Sequence, residues 1–112
     1  MISNKGFNEK SITLYIEEGV KAGEPVTISA ANTAKASATG DNFAGILINQ
    51  RNGCGAVQVE GYASVNYSGT APALGRITVC ANGSGGIKTG STGRTVLVLK
   101  VDEENSTAEI IM

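Results

Sequence analysis

The stretch that decides the fold spans residues 43–79 and reads FAGILINQRNGCGAVQVEGYASVNYSGTAPALGRITV. Short runs typical of β-strands are separated at close intervals by glycine, and Asn52-Gly53 is a strong signal for a tight turn. Residues 56–60 and 62–67 alternate in polarity, and Gly61 between them predicts a bend or bulge in the chain. This stretch therefore predicts strands joined by tight turns.

The strand pattern continues on both sides of this stretch. From residue 11 onward, Ile12, Leu14 and Ile16 alternate with other residues, which predicts a strand with one buried face. Further strands are predicted over residues 26–29, 43–49, 77–81, 95–101 and 108–112, and a weak edge strand or a weak helix lies within residues 30–38. Many short strands at regular spacing predict an all-β fold, a compact small barrel or sandwich of short antiparallel strands.

The length of 112 residues indicates one domain. Residues 1–11 are polar and unpatterned, so we expect a flexible N-terminal arm, followed by a single β domain over residues 12–112. The formal net charge of −1 offers no basic surface to nucleic acid. The start of the chain has no apolar leader and no run reaches transmembrane length, so we expect neither secretion nor membrane insertion.

Few residues of this sequence are suited to catalysis. Histidine, the commonest general base and metal ligand, is absent. Cys54 therefore lacks the usual activating partner, and it and Cys80 are expected to be free thiols unless their strands lie side by side. Residues 83–89 lack the Gly-Lys pair of a phosphate-binding loop, and residues 102–105 match no calcium-binding loop. We expect no enzyme, no cofactor, no metal site and no small-molecule substrate.

The order of these elements resembles that of small phage capsid-decoration proteins, also called capsid cement or head-stabilising proteins. The segments that carry the resemblance are VKAGEPVTIS (residues 20–29), FAGILINQ (43–50), AVQVEGYASVNYSGTAPALGRITV (56–79) and VLVLKVD (96–102). The resemblance implies a compact β domain, usually a homotrimer, that binds the outside of an expanded phage head where capsomers meet. Its partner would be the shell of major capsid protein. The chain would be made in the cytoplasm of the host bacterium and would end on the virion surface.

Three residues are the candidate contacts with the shell. Ile2 and Phe7 lie in the polar arm, where an exposed phenylalanine is a natural anchor for a partner surface. Tyr15 lies on the first predicted strand. A trimer would engage three shell sites at once, so that weak single contacts would sum to a tight attachment. Such an attachment would oppose the outward pressure of packaged DNA.

Two other classes of function are open at this point. A β-type binding module that recognises a receptor or glycan at a virion or cell surface would need an aromatic-lined site, for which Tyr15, Tyr62 and Tyr67 are the candidates. An enzyme or carrier is the third hypothesis. Residues 19–26 resemble the turn of biotinyl and lipoyl carrier domains, but the modified hairpin lysine of those domains is missing. A stable trimer would favour decoration, and a monomer would favour the binding module.

Overall fold

The protein is built from ten β-strands, which a computed structural model describes over residues 9–112. No helix occurs within this range, and the predicted all-β fold is confirmed. The strands are β1 (Lys10–Ile16), β2 (Pro25–Ala30), β3 (Thr33–Ala36), β4 (Gly45–Arg51), β5 (Cys54–Glu60), β6 (Tyr62–Asn66), β7 (Gly75–Ala81), β8 (Ile87–Thr89), β9 (Arg94–Asp102) and β10 (Thr107–Ile111).

The first five strands close into a barrel in the order β1-β3-β2-β4-β5. All of its strand pairs are antiparallel except β1–β3, which is parallel and places Tyr15 beside Thr33. Strands β4 and β5 form the hairpin that Asn52-Gly53 predicts, and both turn residues have positive φ, as a type I′ turn requires. Glycine also lets these strands approach closely, because a side chain at Gly45 would collide with the carbonyl of Gln58.

The last five strands form a second sheet in the order β6-β10-β9-β7-β8, and all four of its pairings are antiparallel. This sheet curls until its two edge strands meet at one point. There Tyr67 and Ile87 form an isolated parallel bridge, and the Ser68 amide donates to the Ile87 carbonyl at 3.0 Å. The sheet is therefore nearly closed on itself.

The barrel and the sheet each enclose a hydrophobic core. The barrel core consists of Leu14, Ile16, Val20, Val26, Ala34, Leu47 and Val57. The sheet core consists of Phe43, Ile46, Ala63, Val65, Tyr67, Val79, Ala81, Ile87, Val96, Val98, Ala108 and Ile110. Phe43 and Ile46 pack in the sheet core although Ile46 belongs to the barrel strand β4 and Phe43 lies two residues before that strand. These two side chains join the two halves through apolar contact.

Arg94, the first residue of β9, adds a polar connection between the halves. Its guanidinium donates to the carbonyl of Ala44 at 2.7 Å and to that of Val59, both on the barrel side. The same group lies 5.9 Å from the centroid of the Phe43 ring, within the range of a cation–π contact. Burial lowers the pKa of Arg94 below its ordinary value, and the Glu60 carboxylate partly offsets this shift.

The chain passes from the barrel to the sheet at Gly61. The φ of this residue is 102°, a left-handed conformation that favours glycine, so the predicted bend is confirmed. The side chain of Gln58 is buried beside the bend. Its Nε2 donates to the carbonyls of Tyr62 at 2.5 Å and of Glu60 at 3.1 Å. These two bonds hold the direction in which β6 leaves the barrel.

Residues 30–38 differ from their prediction. They contain β3, which pairs with β1 on one side and β2 on the other, so this segment is neither a helix nor an edge strand. This segment closes the barrel between β1 and β2. Its small side chains suit that place, and Ala34 is fully buried there. Residues 82–86, between the paired Ala81 and Ile87, form a hairpin turn that leads into the short strand β8.

Two isoleucines in apolar stretches of the predicted strands, where burial is expected, are exposed. Ile12 is 46% exposed because it lies near the start of β1, whereas β3 flanks β1 only at Tyr15 and Ile16. Ile48 is 43% exposed because the β4–β5 register shifts after Leu47, and the resulting bulge places it outside the inward row. Strand β1 also begins at residue 10, two residues before the predicted boundary between arm and domain.

Candidate docking face

Tyr15 projects from the outer surface of the barrel. Its neighbours Leu14 and Ile16 are both buried in the barrel core, so the alternation of β1 turns the tyrosine outward, where 61% of it is exposed. It lies beside Cys54 on β5 and Thr33 on β3. The structure thus places this predicted contact residue on a well-paired part of the barrel.

The residues paired with Tyr15 have small side chains, and the charged Arg51 lies one strand further away, opposite Cys54. Thr13 and Ala56 pair with each other two residues away along β1 and β5, on the same face as Tyr15 and Cys54. We call the surface formed by Thr13, Tyr15, Thr33, Cys54 and Ala56 the Tyr15 face. None of these side chains carries a formal charge at neutral pH, and only the tyrosine is large. A partner surface could therefore approach this face closely and enclose the tyrosine ring, a favourable geometry for an interface anchor.

The other two predicted contact residues, Ile2 and Phe7, lie outside the described residues. The segment that contains them precedes Lys10, the first residue of β1, whose ammonium lies 3.4 Å from the Glu60 carboxylate. Lys10 and Tyr15 are separated by five residues of strand, or about 17 Å. The Tyr15 face therefore lies toward the end of β1 opposite Lys10.

Sequence reasoning missed two exposed leucines on the sheet. Leu74 is 69% exposed in the connection that precedes β7, and Leu99 is 36% exposed on β9. A signal for Leu74 was present, since it stands between Pro72 and Gly75 in a turn-rich segment where burial is unusual. Leu99 alternates with the buried Val96 and Val98, so period two places it on the outer face, but the unbroken apolar run of residues 96–99 hid this signal.

The three tyrosines lie in different environments. Tyr67 is buried in the sheet core, whereas Tyr15 lies on the outer surface of the barrel. Tyr62 lies on β6. Partial burial raises the pKa of its phenol, and the nearby Glu109 carboxylate raises it further. Over the described part of the chain, these residues do not line a common aromatic site.

The polar loops satisfy their own backbone. The Asn82 side-chain oxygen accepts from the amides of Ser84 at 2.7 Å and Gly86 at 3.0 Å, within the glycine-rich turn. Asp102 accepts from Asn105 in the acidic turn, and these bonds lower the pKa of its carboxyl. Within residues 9–112, no group of three or more histidine, cysteine or acidic side chains is arranged to hold a metal ion.

The two cysteines are free thiols on different halves of the molecule. Cys54 begins β5 in the barrel and is partly exposed, whereas Cys80 lies on β7 in the sheet and is buried. The condition for a disulfide, two strands side by side, is therefore not met.

No protein-family model matches the chain, and a search of curated proteins found no match. In the part of the chain that the structure describes, no helix is long and apolar enough to cross a membrane.

Proposed function

We propose that this chain is a capsid-decoration protein that binds the outside of an expanded phage head at the junctions between capsomers. The observation that carries the proposal is the Tyr15 face, where one large exposed ring stands among small uncharged side chains on a paired barrel surface. The resemblance of residues 20–102 to decoration proteins supports the same function. In this proposal the partner is the shell of major capsid protein.

The proposed mechanism is mechanical. A decoration protein resists the outward pressure of packaged DNA only if it transmits force between capsomers without deforming. The closed barrel, the curled sheet and the Arg94 contacts between them favour such rigidity. Three copies in one trimer would hold three shell sites together, and each site could be weak, since linked contacts raise the overall affinity.

The proposed contact surface combines the Tyr15 face with the N-terminal segment that contains Ile2 and Phe7. The Tyr15 face lies about 17 Å along β1 from Lys10, so one copy would contact the shell over an extended surface. This arrangement suits a junction, where two neighbouring capsomers present separate surfaces. The protein would act on the virion surface after synthesis in the host cytoplasm.

The test is co-sedimentation of the purified chain with expanded, undecorated shells. We expect saturable binding at a whole-number ratio per junction, weakened by Tyr15→Ser and by deletion of residues 1–8, which leaves β1 intact. Ile48→Ser is the matched control, because it removes an exposed apolar side chain from another barrel strand. A folded chain that stays in the supernatant at all shell concentrations would overturn the proposal and direct the search to receptors and glycans.

A further inference from the structure

An apolar patch with two exposed leucines lies at one end of the second sheet. It is formed by Ala71, Pro72 and Leu74 from the connection before β7, together with Leu99 and Val101 of β9. Leu74 and Leu99 are exposed, Ala71 and Val101 are half-buried, and Pro72 is buried. We call these five residues the Leu74 patch. Leu74 is the most exposed of the large apolar side chains that are exposed in residues 9–112, at 69%. Lys100 and Glu103 flank the patch.

The fold itself produces this patch. Between Val98 and Lys100, β9 advances two residues while β10 advances one, so Leu99 is the extra residue of a β-bulge. Ala71 and Val101 pack against the sheet core from the same side. The patch is therefore continuous with the core, and its outer residues extend an apolar surface into water. Apolar surface that is continuous with a core and rimmed by polar residues is typical of an interface.

We propose that the Leu74 patch is the contact between copies of this chain, with the Leu74 side chains of three copies meeting around a three-fold axis. This inference rests on the proposed function, in which the protein attaches as a trimer, and it names the surface that forms that trimer. The charges beside the patch favour a second copy as the occupant. One cation and one anion flank it, so that Lys100 of each copy can face Glu103 of the next.

The flanking charges are available for such a contact. Lys100 is 71% exposed, and its only ion pair among the described residues joins it to Glu109 at 4.0 Å, the outer limit for such a pair. Glu103 is exposed at the acidic turn. A partner surface with charges of one sign would be repelled by either Lys100 or Glu103. A rotated second copy instead presents a Glu103 to Lys100 and a Lys100 to Glu103. The formal net charge of −1 also means that the copies repel one another only weakly.

The test measures oligomeric state by light scattering and native mass spectrometry across a concentration series. We expect the unmodified chain to be a trimer. Leu74→Glu would bring three carboxylates together on an apolar axis and raise the dissociation constant by at least about a hundredfold. Because Leu74 is mostly exposed in one copy, the far-UV circular dichroism of this variant stays unchanged. Ile48→Glu, a similar change on the barrel, leaves the trimer intact.

A charge exchange tests the arrangement around the axis. Lys100→Glu and Glu103→Lys each weaken the trimer by about tenfold, and the double variant restores most of the loss, because the opposite charges again face each other between copies. A chain that is monomeric throughout the series overturns the inference, as does a Leu74→Glu variant that remains trimeric. A monomer that binds shells overturns this inference alone, and a trimer that binds no shell overturns the proposed function alone.

Discussion

Replacement of Arg94 by methionine tests whether this side chain holds the barrel and sheet together. The substitution keeps an extended apolar stem but removes every donor. The bonds to the carbonyls of Ala44 and Val59 are lost, as is a longer one at 3.5 Å to the carbonyl of Phe43, together with the contact of the guanidinium with the Phe43 ring. A hydrogen bond to a charged group contributes about 1.5–3 kcal/mol. Since Arg94 is only half-buried, water replaces part of this, and we expect a loss of about 2–4 kcal/mol.

The assay is urea denaturation followed by circular dichroism at one fixed protein concentration, because any association of copies also adds stability. In thermal unfolding of a chain of this size, the same loss of free energy lowers the melting temperature by roughly 10–20 °C. Arg94→Lys gives a smaller loss, since one ammonium cannot reproduce the two-armed geometry. Arg76→Met is the control: this arginine is exposed on the neighbouring strand, and its loss stays within about 0.5 kcal/mol. An Arg94→Met variant as stable as this control would refute the reasoning.

Three further outcomes follow from the burial and bonding of single residues. Ile110→Ala removes a fully buried side chain from the sheet core and lowers the free energy of unfolding by about 3 kcal/mol in urea titration; a loss below about 1 kcal/mol would show that the core collapses around the cavity. In the native protein Cys54 reacts with a thiol reagent before Cys80, which is 4% exposed, and equal rates would mean that the sheet opens locally. Asn105→Ala raises the pKa of Asp102 toward its ordinary value of 3.8, as measured by NMR titration. The folded state lowers the pKa of Asp102, so the ionised carboxylate stabilises the fold above about pH 3.8, and this stabilisation is lost as the pH falls through the pKa of the folded state. The variant therefore loses stability at neutral pH and little in acid. An unchanged titration midpoint of Asp102 would show that the turn amides alone hold the carboxylate.

Local pattern predicted much of the fold because turns and alternation act over a few residues. The Asn52-Gly53 turn needs two residues of positive φ, and few dipeptides supply them as readily. The burial of Leu14 and Ile16 follows from period two, since one face of a strand must enter the core. The bend at Gly61 was also visible, because glycine between two alternating runs marks a break in strand direction.

The candidate sites were less predictable, because exposure depends on what lies next to a residue in space. The alternation of β1 turned Tyr15 outward, but only the pairing with β3 and β5 surrounded it with small side chains. Leu99 follows the apolar pattern of β9 and reads as a core residue in the sequence. In the structure it lies on the face opposite the buried Val96 and Val98. A bulge against β10 turns Lys100 to the same side, and no property of β9 alone specifies where that bulge falls.

By itself the sequence determined the all-β class, the position of most strands and the absence of histidine chemistry, since each depends on composition or on neighbours in the chain. Only the tertiary structure decided the parallel pairing of β1 with β3, the closure of the barrel and the division of apolar residues between two cores. It also decided the placement of Arg94 across the junction. The physical reason is that these features join residues far apart in sequence, and their free energy comes from contacts that exist only once both partners have folded.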